Sequence, residues 1–201
     1  MKSIFLHGMG QTASSWDKML SFLPDKSEIS CPELSDFFSD GSCVYDRMYS
    51  AFCEYCNPFE PLRLCGLSLG AVLALNYAVD FPQKVEKLIL IAPQYRMQKF
   101  LLKIQNLLFR SMPESKFYDI GLKKNDFISL TNSMLDIDLS SRLGRVKCPV
   151  LVICGERDRA NKKAAIRLAK KLPDASFIEA PASGHEVNID APEWLAGAVR
   201  F

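Results

Sequence analysis

Three short stretches of the chain carry residue types able to perform acyl-transfer chemistry. The first is Gly66-Leu67-Ser68-Leu69-Gly70, set between an apolar run, Leu62 to Cys65, and an Ala- and Leu-rich run, Leu69 to Phe81, that stops at Pro82. A G-x-S-x-G pentapeptide between a strand and a helix predicts a very tight turn. The serine takes a strained backbone there, and only small residues fit two positions either side. The hydroxyl is thereby lifted above the strand ends. A helix N-terminus and the Leu69 amide then face any oxyanion formed at the serine.

A serine hydroxyl needs a base to become a nucleophile. The chain has two histidines, His7 and His185. His7 ends the first apolar run and immediately precedes a turn, so it is expected to pack against that turn or bond to it. His185, in Ser183-Gly184-His185-Glu186, follows the last predicted strand. It comes after the serine in chain order, on a loop free to lean over it, and is the expected base. A third group must orient the imidazole and offset its charge. Gly155-Glu156-Arg157-Asp158 follows the run Val150 to Cys154, which puts two acids at the same sheet edge. Asp158 is the expected partner, with Glu156 the runner-up. Ala92-Pro93-Gln94, after the preceding strand, offers no competing carboxylate.

These residues need a scaffold, and the pattern of apolar runs supplies one. Ser3 to Leu6, Leu62 to Cys65, Val85 to Ile91 and Val150 to Cys154 are short and unalternating, as expected of strands buried on both faces. Ser176 to Glu179 is a weaker fifth and Ile29 to Cys31 a sixth. Helical patterns fall between them at Leu69 to Phe81, at Lys162 to Leu172 before Pro173, and at Pro192 to Arg200. The alternation predicts an α/β fold with a doubly wound, mostly parallel sheet of about six strands.

The stretch from 94 to 143 breaks this rhythm. Met97, Phe100, Leu101, Ile104, Leu107 and Leu108 recur at helical spacing, and Phe127, Ile128, Leu130, Met134 and Leu135 follow Pro113. It is too long for a loop between sheet strands. It reads as a helical insertion over the carboxyl edge of the sheet, or else as helices that extend the core. Trp16 either lines the pocket or packs its own loop.

Bulk properties exclude other classes. The 201 residues suit one domain with an insertion, and 48% hydrophobic with 24% charged residues is an ordinary globular balance. A net charge of +2, from 25 basic and 23 acidic residues, favours neither nucleic acid nor an anionic membrane as partner. No apolar run is long enough to span a bilayer. The N-terminal run lacks the long apolar region and cleavage site of a signal peptide, which argues against export. Seven cysteines, an odd number with several in apolar runs, read as free thiols in a reducing cytoplasm. Cys53-x-x-Cys56 has no second pair and no nearby histidine, so it reads as two helix cysteines and not as a metal or redox site.

His7-Gly8-Met9-Gly10, the turn at Ser68, the G-E-R-D ending in Asp158 and the G-H ending in His185 together resemble the α/β-hydrolase superfamily. They stand in its Ser–Asp–His order, and the similarity covers nearly the whole chain. The resemblance implies that the Met9 amide is the second oxyanion donor beside Leu69. It also implies a core of 1–93 and 144–201 under a cap of 94–143. The family's sheet normally has two strands before the H-G strand, so this one would be a reduced version. The function so implied is hydrolysis of a small-molecule carboxylic ester or thioester through an acyl-serine, with no metal or organic cofactor. Some members use the same residues for elimination or C–C cleavage, including an enzyme of menaquinone synthesis with similar length and motif layout. Others are non-catalytic ligand receptors.

Overall fold

The computed structural model describes residues 1–38, 43–59, 61–97, 99, 107, 110–114, 117 and 123–199. Six parallel strands form one sheet in the order β2-β1-β3-β4-β5-β6. They are β1 (Ser3–Leu6), β2 (Ile29–Ser30), β3 (Leu62–Leu67), β4 (Val85–Ile91), β5 (Val150–Gly155) and β6 (Ala175–Ala180). Around them lie α1 (Asp17–Ser21), α2 (Tyr45–Cys56), α3 (Leu69–Asp80), α4 (Lys124–Ser133), α5 (Arg159–Lys171), α6 (Val187–Asp190) and α7 (Pro192–Ala198). Each strand predicted from the apolar runs is present. The edge strand β2 shrinks to two half-buried residues, because only one side of it has a neighbour.

The unalternating runs are explained by the two cores. Ile4, Leu6, Leu64, Leu88, Leu90 and Val152 pack on one face with α2, α3 and α5. Phe5, Cys65, Leu67, Ile89, Ile91 and Ile153 pack on the other with α1 and α7. Successive residues point to opposite faces of a strand, so a sheet covered on both sides needs apolar residues at nearly every position. Trp16 belongs to the second core. It is fully buried, with its ring edge-on to Phe5 at 5.3 Å, and so packs its loop and does not line a pocket. Its indole N–H has no partner among the described residues, a cost of about 1–3 kcal/mol set against the burial of a large ring.

The strand order decides where a ligand can enter. The chain leaves β1 toward β2 on one side, and leaves β3 toward β4 on the other. A crevice opens beyond the carboxyl ends of two such diverging strands. The turn after β1 and the turn after β3 both face it.

Between β4 and β5 the chain runs through the predicted insertion. Tyr95 to Met97 meets Ile137 to Leu139 antiparallel, through Met97 N–H to Ile137 O at 3.0 Å and Leu139 N–H to Tyr95 O at 2.8 Å. Leu130, Met134 and Leu139 join the first core, and Phe127 is buried against Phe117. Phe100, Leu101, Ile104 and Leu108, singled out by their spacing, lie outside the described residues. Among the described residues no helix is long and apolar enough to cross a membrane.

Candidate active site

Ser68 sits between β3 and α3 with φ 53° and ψ −109°, a conformation that side chains rarely adopt. The flanking glycines explain how the turn closes. A Cβ on Gly66 would lie 2.3 Å from Gly70 O, and one on Gly70 would lie 2.3 Å from Leu6 O. Both obstacles are backbone atoms that cannot step aside. The main chain of α3 therefore starts directly behind the serine and against β1.

The turn after β1 lies beside it. A Cβ built on Gly8 would come within 3.5 Å of the Ser68 Cβ. The amides of Met9 and Leu69 donate to no protein acceptor among the described residues. The Leu69 amide stands at the N-terminus of α3, where unpaired main-chain donors favour negative charge. Beside them Met9, Leu69, Leu34, Met48, Phe127 and Leu130 enclose a cavity of about 20 Å³, room for a single water molecule.

Asp158 and His185 come together through β5 and β6, which pair in register up to Gly155 and Ala180. Beyond that pair the two loops stay bound. Glu156 N–H donates to Ala180 O at 2.9 Å and Arg157 N–H to Ser183 O at 2.8 Å. The β6 loop crosses so closely that a Cβ on Gly155 would lie 1.9 Å from Gly184 O. His185 Nδ1 then lies 2.8 Å from Asp158 Oδ2 and donates to that carboxylate, and Nε2 has no hydrogen-bond partner among the described residues. The carboxylate is almost wholly buried (4% exposed), whereas the ring is 41% exposed. Burial alone would raise the Asp158 carboxyl. The bonds from His185 and Asn161 outweigh it and hold the group below the ordinary carboxylate range. The runner-up, Glu156, is used elsewhere: its carboxylate accepts the Ala182 N–H at 2.8 Å.

Two side chains that sequence reasoning missed tie the base loop to the turn after β1. Gln11 Nε2 donates to Glu186 Oε1 at 3.0 Å and to Asn188 Oδ1 at 3.2 Å. Asn188 Nδ2 donates back to Gln11 Oε1 at 3.2 Å and to Ser15 O at 3.1 Å. His185 is thus held between Asp158 on one side and, through its next neighbours, the Met9 turn on the other.

His7 has the structural role expected of it. It is buried, its Nδ1 donates to Gly8 O at 2.9 Å, and its Nε2 accepts the Leu34 N–H at 3.1 Å. Burial holds its pKa below 6.5 despite Glu33 nearby, so the ring is neutral and both nitrogens are used. All seven cysteines are free, and burial pushes Cys56 up beyond the range in which a thiolate forms. No group of histidine, cysteine and acidic residues suited to a metal ion occurs among the described residues.

The alpha/beta hydrolase family matches residues 4–198, and the chain belongs to that family. Among its relatives, a Bacillus subtilis (strain 168) protein, provisionally named a 2-succinyl-6-hydroxy-2,4-cyclohexadiene-1-carboxylate synthase, is 25% identical over 94% of this chain and 85% of its own. A pimeloyl-(acyl-carrier protein) methyl ester esterase of Nitrosospira multiformis is also 25% identical, over 98% of this chain and 93% of its own. In three dimensions a thermophilic esterase from Thermogutta terrifontis superposes with a TM-score of 0.80 at 19% identity, covering 100% of this chain and 88% of that one. The shared fold is therefore that of the alpha/beta hydrolases.

Proposed function

We propose that this chain is a serine hydrolase that cleaves a small carboxylic ester or thioester through an acyl-serine. Ser68 attacks the carbonyl, and His185 takes its proton and returns it to the leaving group. Asp158 holds the imidazole in the tautomer that leaves Nε2 free, and the amides of Met9 and Leu69 receive the oxyanion. The observation that supports this reading is a strained Ser68 at the carboxyl end of one strand and, at the same sheet edge, a histidine whose Nδ1 is bound to a buried aspartate held below the ordinary carboxylate range. Residues 94–143 act as a cap on a core of 1–93 and 144–201, a division supported by the antiparallel pinch at Tyr95–Met97 and Ile137–Leu139. The seven free thiols suit a cytoplasmic location.

A second reading keeps the same residues but makes them the base of an elimination, as the name of the B. subtilis relative suggests for that protein. Turnover separates the two. With activated aryl esters of increasing acyl length, a hydrolase releases an initial burst of leaving group matched to enzyme concentration when deacylation is slow, and Ser68→Ala abolishes it. No hydrolysis across a panel of short, medium and aromatic esters and thioesters, by a folded protein whose Ser68 still reacts with a phosphonate, would sink the ester reading.

A further inference from the structure

Asn161 stands three residues beyond Asp158, in the first turn of α5. Its Nδ2 lies 2.9 Å from each oxygen of the Asp158 carboxylate, and its main-chain N–H donates to Oδ1 at 3.2 Å. Its own Oδ1 accepts a hydrogen bond from Gln94 Nε2 at 2.8 Å. Gln94 lies three residues past the end of β4, where the chain departs for the insertion. We propose that Asn161, oriented by Gln94, is a positioning residue for the Asp158–His185 pair and links that pair to the insertion. The proposal rests on the reading of Asp158 and His185 as the acid–base pair.

The polarity of the amides makes the case. An amide side chain has nearly the same shape when flipped, but its donor and acceptor trade places. If Asn161 were flipped, its carbonyl oxygen would face the Asp158 carboxylate, and two acceptors would repel. That oxygen would also stand at about the position of Nδ2, 3.1 Å from His185 Nδ1, and would compete with Asp158 for the ring proton. In the observed orientation Asn161 Nδ2 and His185 Nδ1 are both donors converging on Asp158 Oδ2. Their mutual separation follows from the shared acceptor. Gln94 presents an N–H to Asn161 and so selects this orientation. Reversing both amides together would restore their mutual bond but not the bond to the carboxylate.

Other groups around Asp158 leave this role to Asn161. Cys154 Sγ reaches only the main-chain oxygen of Asp158, and burial pushes that thiol to about 12, so it carries no charge. The Lys162 ammonium is engaged by Glu156 O and Glu179. Arg157 and Arg159 are exposed beside it in sequence.

The test compares Asn161→Ala, Gln94→Glu and Gln94→Met. Alanine keeps the helix and the capping main-chain N–H while removing the side-chain amide. Asn161→Ala should lower kcat/KM about 10-fold to 100-fold, the range seen for outer partners of metal-ligating side chains. It should also move the acid limb of the kcat/KM profile to higher pH by about half a unit to one unit. The Asp158 carboxyl carbon, followed by NMR, should titrate at higher pH as well, because two of its donor contacts are gone. Gln94→Glu offers only acceptors and draws the Asn161 amide away, so it should reproduce these shifts, whereas Gln94→Met should be milder. An Asn161→Ala protein with an unchanged acid limb and an unchanged Asp158 titration would overturn the proposal, whatever its rate. So would equal behaviour of the two Gln94 variants. The carboxyl titration needs no substrate, so it decides this point even if no ester is hydrolysed.

Discussion

The strained turn at Ser68 sets activity against stability, and one pair of variants measures both. Ser68 holds φ 53° and ψ −109°, where a side chain costs about 1–3 kcal/mol of backbone strain. Ser68→Gly removes that strain but adds the entropy cost of a freer unfolded chain, about 0.4–1 kcal/mol. The balance is a net gain of about 0–2.6 kcal/mol, with a midpoint of about 1.3 kcal/mol. For a chain of this length the midpoint corresponds to a rise in Tm of roughly 3–5 °C. Ser68→Ala keeps the strained Cβ and loses only a hydroxyl, so its Tm should match the parent. Both variants should lose ester turnover by ~10³-fold or more. The assays are thermal or urea unfolding of the three proteins beside hydrolysis of an activated ester. A glycine variant no more stable than the alanine variant would mean the turn stores no more strain than the entropy cost of glycine, at most about 1 kcal/mol. An alanine variant with near wild-type turnover would remove Ser68 from the chemistry.

Two further outcomes follow from the same geometry. Leu130 is fully buried and lines the small cavity beside Met9 and Leu69; Leu130→Ala should cost about 2–5 kcal/mol and shift preference toward longer acyl groups. An unchanged acyl preference in a folded Leu130→Ala protein would separate that cavity from substrate. Stability should fall with pH in two stages. His7 is held neutral by burial, so its contribution is complete above 6.5 and declines as pH drops below that value. Asp158 is held ionised, so its contribution is complete above about 3.9 and is lost in stronger acid. Urea midpoints against pH for wild type and His7→Gln test the first stage, since the variant should lose the slope just below 6.5. Identical slopes would show that His7 is not buried neutral.

Much of the fold could be read from local patterning. A strand buried on both faces must be apolar throughout, so Val85–Ile91 and Val150–Gly155 announce themselves, and Pro82 and Pro173 mark where the intervening helices stop. The weakest reading, at Ile29, became a two-residue edge strand, because half-buried residues carry little pattern. The helix Tyr45–Cys56 went unread except for its two cysteines, since it mixes polar and aromatic residues around its buried stripe of Tyr45, Met48, Phe52 and Cys56.

The sequence alone determined the candidates for chemistry. A serine between two glycines at a strand end, two histidines of which one stands on a turn, and an aspartate at the end of a strand loop leave few assignments. Local backbone rules settle such positions, because a strand that ends in a tight turn exposes the same residue in any fold that keeps the strand. Tertiary structure alone decided what holds them. Gln11 meets Asn188 across 177 residues, and Gln94 meets Asn161 across 67. Amide side chains bond at single points, follow no period and look the same in sequence whether solvated or buried. Their partners exist only after the strands have taken the order β2-β1-β3-β4-β5-β6 and brought loops distant in sequence to one edge.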